Sequence, residues 1–302
     1  MRIFQSGELA RVVRLATLAF MVVVVSAASA SPLPQTSNNY ANDPVALVRH
    51  ASYNELHQTA PPYPVRYKLR KQDEKGVTTK EIVPTKDGDV ARLIARNDKP
   101  LTPEQNQAEL DRLSNLLAHP EIQEHRHKRE QEDSGRADEM IRLLPDAFLY
   151  TYLDTATGPN GPAYRLSFKP NPDFHPPDRE AEVYHGMEGE VWIDQGQERI
   201  VKLDAHLIAD VNFGWGILGK LYKGGSLSIE QKDVGHRHWE ATLMNLNLTG
   251  IALMLKPLSF QTTETSTDFQ PVPVNMSYQD AIHLLTSDNN GAQVAQDATE
   301  KK

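Results

Sequence analysis

The chain has no cysteine in 302 residues. That excludes disulfide staples, thiol nucleophiles, thiolate metal centres and a lipid-modified cysteine, so the fold must be held by a buried core. Basic excess is also missing. Lys and Arg number 32 against 40 Asp and Glu, a net formal charge of −8. Such a balance argues against nucleic acid or an anionic membrane surface as the main partner, and the basic cluster Arg126–Arg129 is flanked by acids on both sides. Beyond the first thirty residues no apolar run is long enough to cross a bilayer. Nucleophile signatures are lacking too, with no G-x-S-x-G elbow and no S-x-x-K.

The N-terminus does carry a signal. Arg2, Arg11 and Arg14 precede an apolar run from Leu15 to Val25, and Ala28-Ser29-Ala30 closes it. This is the pattern of an export signal cleaved before Ser31, too short for a stable transmembrane anchor. Without residues 1–30, which hold three Arg and one Glu, the formal charge becomes −10. Residues 31–42 read as a flexible tether, and the expected destination is an extracytoplasmic compartment, the periplasm. The sequons at Asn247 and Asn275 matter only where exported chains are glycosylated.

From Asp43 the pattern is structural. Asp43-Pro44 suits a helix start. Tyr63, Val65, Tyr67 and Leu69 then alternate with polar residues, and turns at "DEKG" and "KDGD" lead to two further strands. Residues 102–144 interrupt this meander with two helices. Thr102, Pro103 and Gln105 form a capping-box start, while Glu121 opens a helix charged through "EIQEHRHKREQED". Seven strand candidates follow Pro145. The chain therefore reads as α+β, a large curved antiparallel sheet or unclosed β-barrel with an N-terminal helix and a helical lid insertion. One domain is expected over 43–265, with a mostly disordered tail over 266–302 broken by a short helix at 277–285.

Several constellations invite chemistry. Gly214, Gly216 and Gly219 spell G-x-G-x-x-G, but only "KLYK" separates Gly219 from Gly224-Gly225, leaving no room for the helix a dinucleotide site needs. An apolar loop is expected instead, carrying Phe213 and Trp215 as the cover of a core or the lip of a ligand mouth. His236 and His238, two apart at a strand start, are weak metal candidates, and His125 and His127 weaker still. Asp194, Asp204 and Asp210 are better explained by solvation than as a hydrolytic pair. No catalysis, cofactor or metal is expected.

The element order, with "GEVWID" and "RIVKLDAHL" as a central hairpin, resembles the outer-membrane lipoprotein carrier (LolA/LolB-like) superfamily over residues 43–262. The resemblance implies an unclosed barrel whose concave apolar face holds acyl chains under helices. Val191, Ile193, Val201, Leu203, Leu207, Leu227 and Ile229 would line that face, and Leu110, Leu113, Leu117 and Leu144 would belong to the lid. The charged first half of the second helix departs from a simple lid. The implied function is a non-catalytic periplasmic carrier for a lipid or acylated protein, with an envelope protein as a further partner. The alternatives are an envelope signalling or structural module with a self-filled sheet, and an exported hydrolase.

Overall fold

The computed structural model describes residues 40–57, 63–214, 218–253 and 256–287. The expected signal at 1–30, most of the tether, Trp215 and the tail beyond 287 lie outside these residues. The elements run α1 (Pro44–Leu56), β1 (Val65–Asp73), β2 (Gly76–Val83), β3 (Val90–Arg96), β4 (Lys99–Pro100), α2 (Pro103–Ala118) and α3 (Pro120–Ala147). There follow β5 (Phe148–Gly158), β6 (Gly161–Pro170), a 3₁₀ helix (Glu180–Gly186), β7 (Met187–Asp194), β8 (Ile200–Leu207), β9 (Val211–Phe213) and β10 (Gly219–Leu221). The chain continues with β11 (Ser226–Asp233), β12 (Trp239–Ala252), β13 (Lys256–Pro271) and α4 (278–287).

The strands build an antiparallel sheet of 13 strands that does not close, eleven of them in the order β4-β3-β2-β1-β13-β12-β11-β8-β7-β6-β5 and the other two off this path, β10 pairing with β12 and β9 with β10. The helical insertion lies among them, as the sequence predicts. Helix starts also follow their local chemistry. The Asp43 carboxylate accepts from the Ala46 amide at 2.9 Å. Thr102 and Gln105 each bond the other's backbone amide, completing the capping box.

The described residues fall into two compact units, those within Met1–Pro61 and Asp133–Thr263 and those within Pro62–Glu132 and Glu264–Lys302. This differs from the single domain expected over 43–265. Within the expected tail, β13 runs on to Pro271, and α4 stands where the short helix was expected at 277–285. The polar composition of this tail hides Val272, Tyr278, Ala281, Ile282 and Leu285, all of which are buried.

In the first unit, Leu47, Val48 and Ala51 of α1 join Phe148, Leu166, Phe168, Val191 and Ile193 in one core cluster. A second cluster gathers Leu207, Val211, Phe213, Leu221, Leu246 and Leu248. The glycine-rich stretch is resolved here into the β9–β10 hairpin. Gly214 sits at φ +55°, and a Cβ on Gly250 would lie 2.1 Å from the Lys220 carbonyl oxygen, so β10 can approach β12 only over a glycine. A third, small cluster of Ala163, Val201 and Trp239 includes Trp192 at its margin. Trp192 thus belongs to a packed patch on the phase opposite to Val191 and Ile193.

In the second unit, Val83, Val90, Leu113, Leu116, Val272, Tyr278, Ile282 and Leu285 form one core. Burying each such aliphatic side chain contributes about 1.5–3 kcal/mol. Beside the free edge of β3, α2 supplies the missing partners. Glu109 accepts from the Leu93 amide at 2.8 Å and Arg112 donates to the Ala91 carbonyl at 2.5 Å. Two side chains one helical turn apart thereby stand in for a neighbouring strand and cap a hazardous edge.

Candidate functional site

The first unit contains a cavity of about 120 Å³. Its sheet wall comes from Val191 of β7, Ile200, Leu203, Ala205 and Leu207 of β8, Leu227 and Ile229 of β11, and Leu246 and Leu248 of β12. Opposite them stand Met140, Ile141 and Leu144 of α3, with Phe148, Tyr150, Phe168 and Tyr184 at one end. Polar members of the lining are few: Glu180, Ser226, the two tyrosines and His206, whose ring nitrogen lies 3.1 Å from Glu188.

A local irregularity decides which face of β8 reaches the cavity. Trp192 pairs with Lys202 but Ile193 pairs with Ile200, so one residue is bulged at Val201. A bulge shifts the side-chain alternation by one. Ile200 consequently lines the cavity, while Val201 packs with Ala163 and Trp239.

The helical wall is tied down by the two tyrosines. Tyr150 donates to the Leu144 carbonyl at 2.8 Å and Tyr184 to the Met140 carbonyl at 2.9 Å. Leu144 lies in the last turn of α3, where carbonyls have no partner further along the helix, and Pro145 cannot supply an amide to Ile141. Desolvation pushes both phenols above the ordinary tyrosine range. For Tyr150 the neighbouring Tyr184 and Asp146 add to it, and for Tyr184 Asp178 does. Both therefore remain protonated donors through the physiological range. Their rings pack on Phe148, whose centroid is 5.0 Å from that of Tyr184 and 6.2 Å from that of Tyr150.

A buried ion pair fixes α1 to the start of β8. Arg199 donates to Glu55 at 2.8 Å, the Ile200 amide donates to the same carboxylate at 2.9 Å, and Gln231 does so at 2.8 Å. Each charge is thus paired and hydrogen-bonded, as burial requires. Arg199 also lies over the Trp239 ring, 5.6 Å from its centroid. This network holds Ile200, and with it the bulge, in place.

The residues named from sequence fall in different places. Val191, Leu203, Leu207, Leu227, Ile229 and Leu144 line the cavity. Ile193 is buried in the core cluster beside it and Phe213 in the cluster beneath the hairpin, but neither lines it. Val201 is a correction, since the bulge turns it away. Leu113 is buried in the core of the second unit and Leu117 packs against it, because the apolar stripe of α2 is taken up by β2, β3 and α4. Leu110, on the same helix, is half-buried. The histidine pair also requires correction. His236 occupies a turn at φ +57° ahead of β12, whereas His238 is buried and contacts Glu240 at 2.7 Å, so the two do not share a strand face. Among the described residues no group of three or more His, Cys, Asp or Glu is placed to hold a metal ion.

Sequence reasoning left out Leu246 and Leu248, although their period-two spacing in "MNLNL" signals one strand face. Tyr184 had no such signal. It follows the proline-containing stretch "HPPDRE" and becomes a wall only through the 3₁₀ helix.

No family model and no curated protein matches the chain. A solved structure titled as a "putative outer membrane lipoprotein-sorting protein domain", from Vibrio parahaemolyticus, is similar over 78% of this chain and 94% of its own, at 10% identity and a TM-score of 0.30. So distant a likeness assigns neither a family nor a ligand.

Proposed function

We propose that the first unit is a non-catalytic binding domain for an apolar chain, such as the acyl group of a lipid or acylated protein, in an exported protein of the cell envelope. The observation that carries this reading is the cavity itself. Protein interiors are packed with few voids larger than a water molecule, yet here about 120 Å³ stays open between nearly continuous apolar walls. A cavity of this scale takes up a group near the size of benzene. A longer chain requires the walls to part, and Met140 and Met187, both in the lining, are unbranched side chains that adapt readily. Each buried methylene would contribute about 0.8 kcal/mol to binding.

One observation favours a second reading, a signalling or structural module with no ligand: the cavity is smaller than the roughly 300–1,000 Å³ typical of small-molecule sites. Native mass spectrometry of the protein from an envelope extract, followed by organic extraction, separates the two. Under the binding reading a lipid or acylated peptide co-purifies and is lost in Leu203→Glu. A clean apo mass with no uptake of added fatty acid would support the module.

A further inference from the structure

The sheet is finished differently at its two edges. At β3 the edge is met by Glu109 and Arg112 of α2. At the other end stands β5, which among the described residues pairs on one side only, with β6. Its stretch 148–153, "FLYTYL", carries no charge, glycine or proline and is rich in residue types that favour strands. Phe148 and Tyr150 turn into the core and the cavity wall, which leaves Leu149 and Thr151 on the opposite face. Leu149 and Leu153 are 44% and 43% exposed, and Thr151 is exposed between them. Leu153 is also the bulged residue: Tyr152 pairs with Leu166 and Asp154 with Arg165, so Leu153 has no opposite number on β6. Edges that stay unpaired are blunted by charges, proline, bulges or a cover, and ahead of its bulge β5 carries neither charge nor proline.

We infer that the outer edge of β5 is an interface between two copies of this chain, paired antiparallel across a two-fold axis at Thr151, so that the sheet of one copy continues into the other. A two-fold interface must be complementary to itself. With the axis at Thr151, Leu149 stands opposite Leu153 of the second copy and Tyr150 opposite Tyr152, so both exposed leucines are covered in each copy. Charge selects the same arrangement. The chain has a net formal charge of −8, so two copies repel unless they meet where acids do not oppose one another. About Thr151 the first acid of the strand, Asp154, falls opposite Phe148 and keeps its own partner Arg165 at 3.3 Å. An axis moved along to Asp154 would set the two carboxylates face to face, which is destabilising. The pairing uses the strand edge and not the cavity, so it does not depend on what the cavity holds.

The test is sedimentation velocity of the purified protein from nanomolar to high micromolar concentration, with amide hydrogen exchange of 148–153 followed over the same range. A monomer–dimer equilibrium is expected, with protection of these amides rising with concentration. Leu149→Lys and Leu153→Lys change side chains that are already exposed, so both should melt like the wild type when dilute and dimerise about tenfold or more weakly. Leu253→Lys, at an exposed leucine away from β5, should dimerise as the wild type does. The register has its own readout, because the chain contains no cysteine. Residues directly opposite on antiparallel strands lie within disulfide reach, so Thr151→Cys should form a covalent dimer under mild oxidation, much faster than Thr157→Cys. A wild type that stays monomeric at every concentration, a dimer undiminished in both Lys variants, or a Thr151→Cys variant that crosslinks no faster than Thr157→Cys would overturn the inference.

Discussion

The two units treat interior space in opposite ways. In the first, a buried charge is fully matched, Glu55 with Arg199, Ile200 and Gln231, while apolar space is left open. In the second, the core is filled by α2 and α4. Its buried Arg92 donates to the Leu285 carbonyl and to Asn106 at 2.9 Å, and its Nε has no partner. Desolvation lowers the Arg92 pKa, with Glu109 and the cross-strand Glu81 opposing it.

The largest effect is expected where matching is complete. Glu55→Ala strands Arg199, whose side chain is only 6% exposed, and should cost about 3–5 kcal/mol in a urea melt. A loss under about 1 kcal/mol would mean that the network is dispensable and that α1 is held by packing alone.

Next come paired substitutions that compare the two interiors directly. Ala281→Leu overfills the closed second core and should cost about 1–3 kcal/mol. Ala205→Leu points into the cavity and should cost little while reducing uptake of a fluorescent fatty acid. Equal costs would erase the distinction between an open and a filled interior.

Tyr184→Phe removes one tie on α3 and should cost about 1 kcal/mol. Faster amide hydrogen exchange around Met140 is the accompanying sign. Unchanged protection would leave Tyr184 as packing only.

The smallest effect concerns pH. Against desolvation, Arg112 and the Leu93 amide hold the Glu109 pKa below the usual glutamate range. A carboxylate with a depressed folded-state pKa contributes stability that is complete above its unfolded value of about 4.3 and is lost as pH falls through the folded value. Glu109→Gln should therefore show a shallower loss of stability below about pH 4, read from melting temperatures across that range. An identical acid limb would show that Glu109 caps the β3 edge without adding to the acid response.

Much of this architecture could be read from residue order. The cap at Asp43, the capping box at Thr102, the alternation in β1 and the lack of room for a nucleotide helix after Gly219 all depend on neighbours a few positions apart. Leu203, Leu207, Leu227 and Ile229 were legible as one apolar face for the same reason. Val201 was not, because the bulge arises where β8 meets β7 and leaves no mark in the β8 sequence itself. The apolar stripe of α2 was visible, but not which surface it would cover. The short helix at 277–285 was legible, but the polar stretch before it concealed the end of β13, and that the helix would be buried was decided only once β2, β3 and α2 present a surface to it.

What the sequence determined by itself was therefore local and periodic: a cysteine-free acidic chain, the helix caps, the strand alternation and an antiparallel sheet interrupted by two helices. Only the tertiary structure decided which apolar faces found partners. Burial depends on the surface a distant segment brings, so the same kind of leucine stripe closes the core of one unit and is left facing open space in the other. It decided likewise which charges were matched, since Glu55 and Arg199 meet across 144 residues of chain.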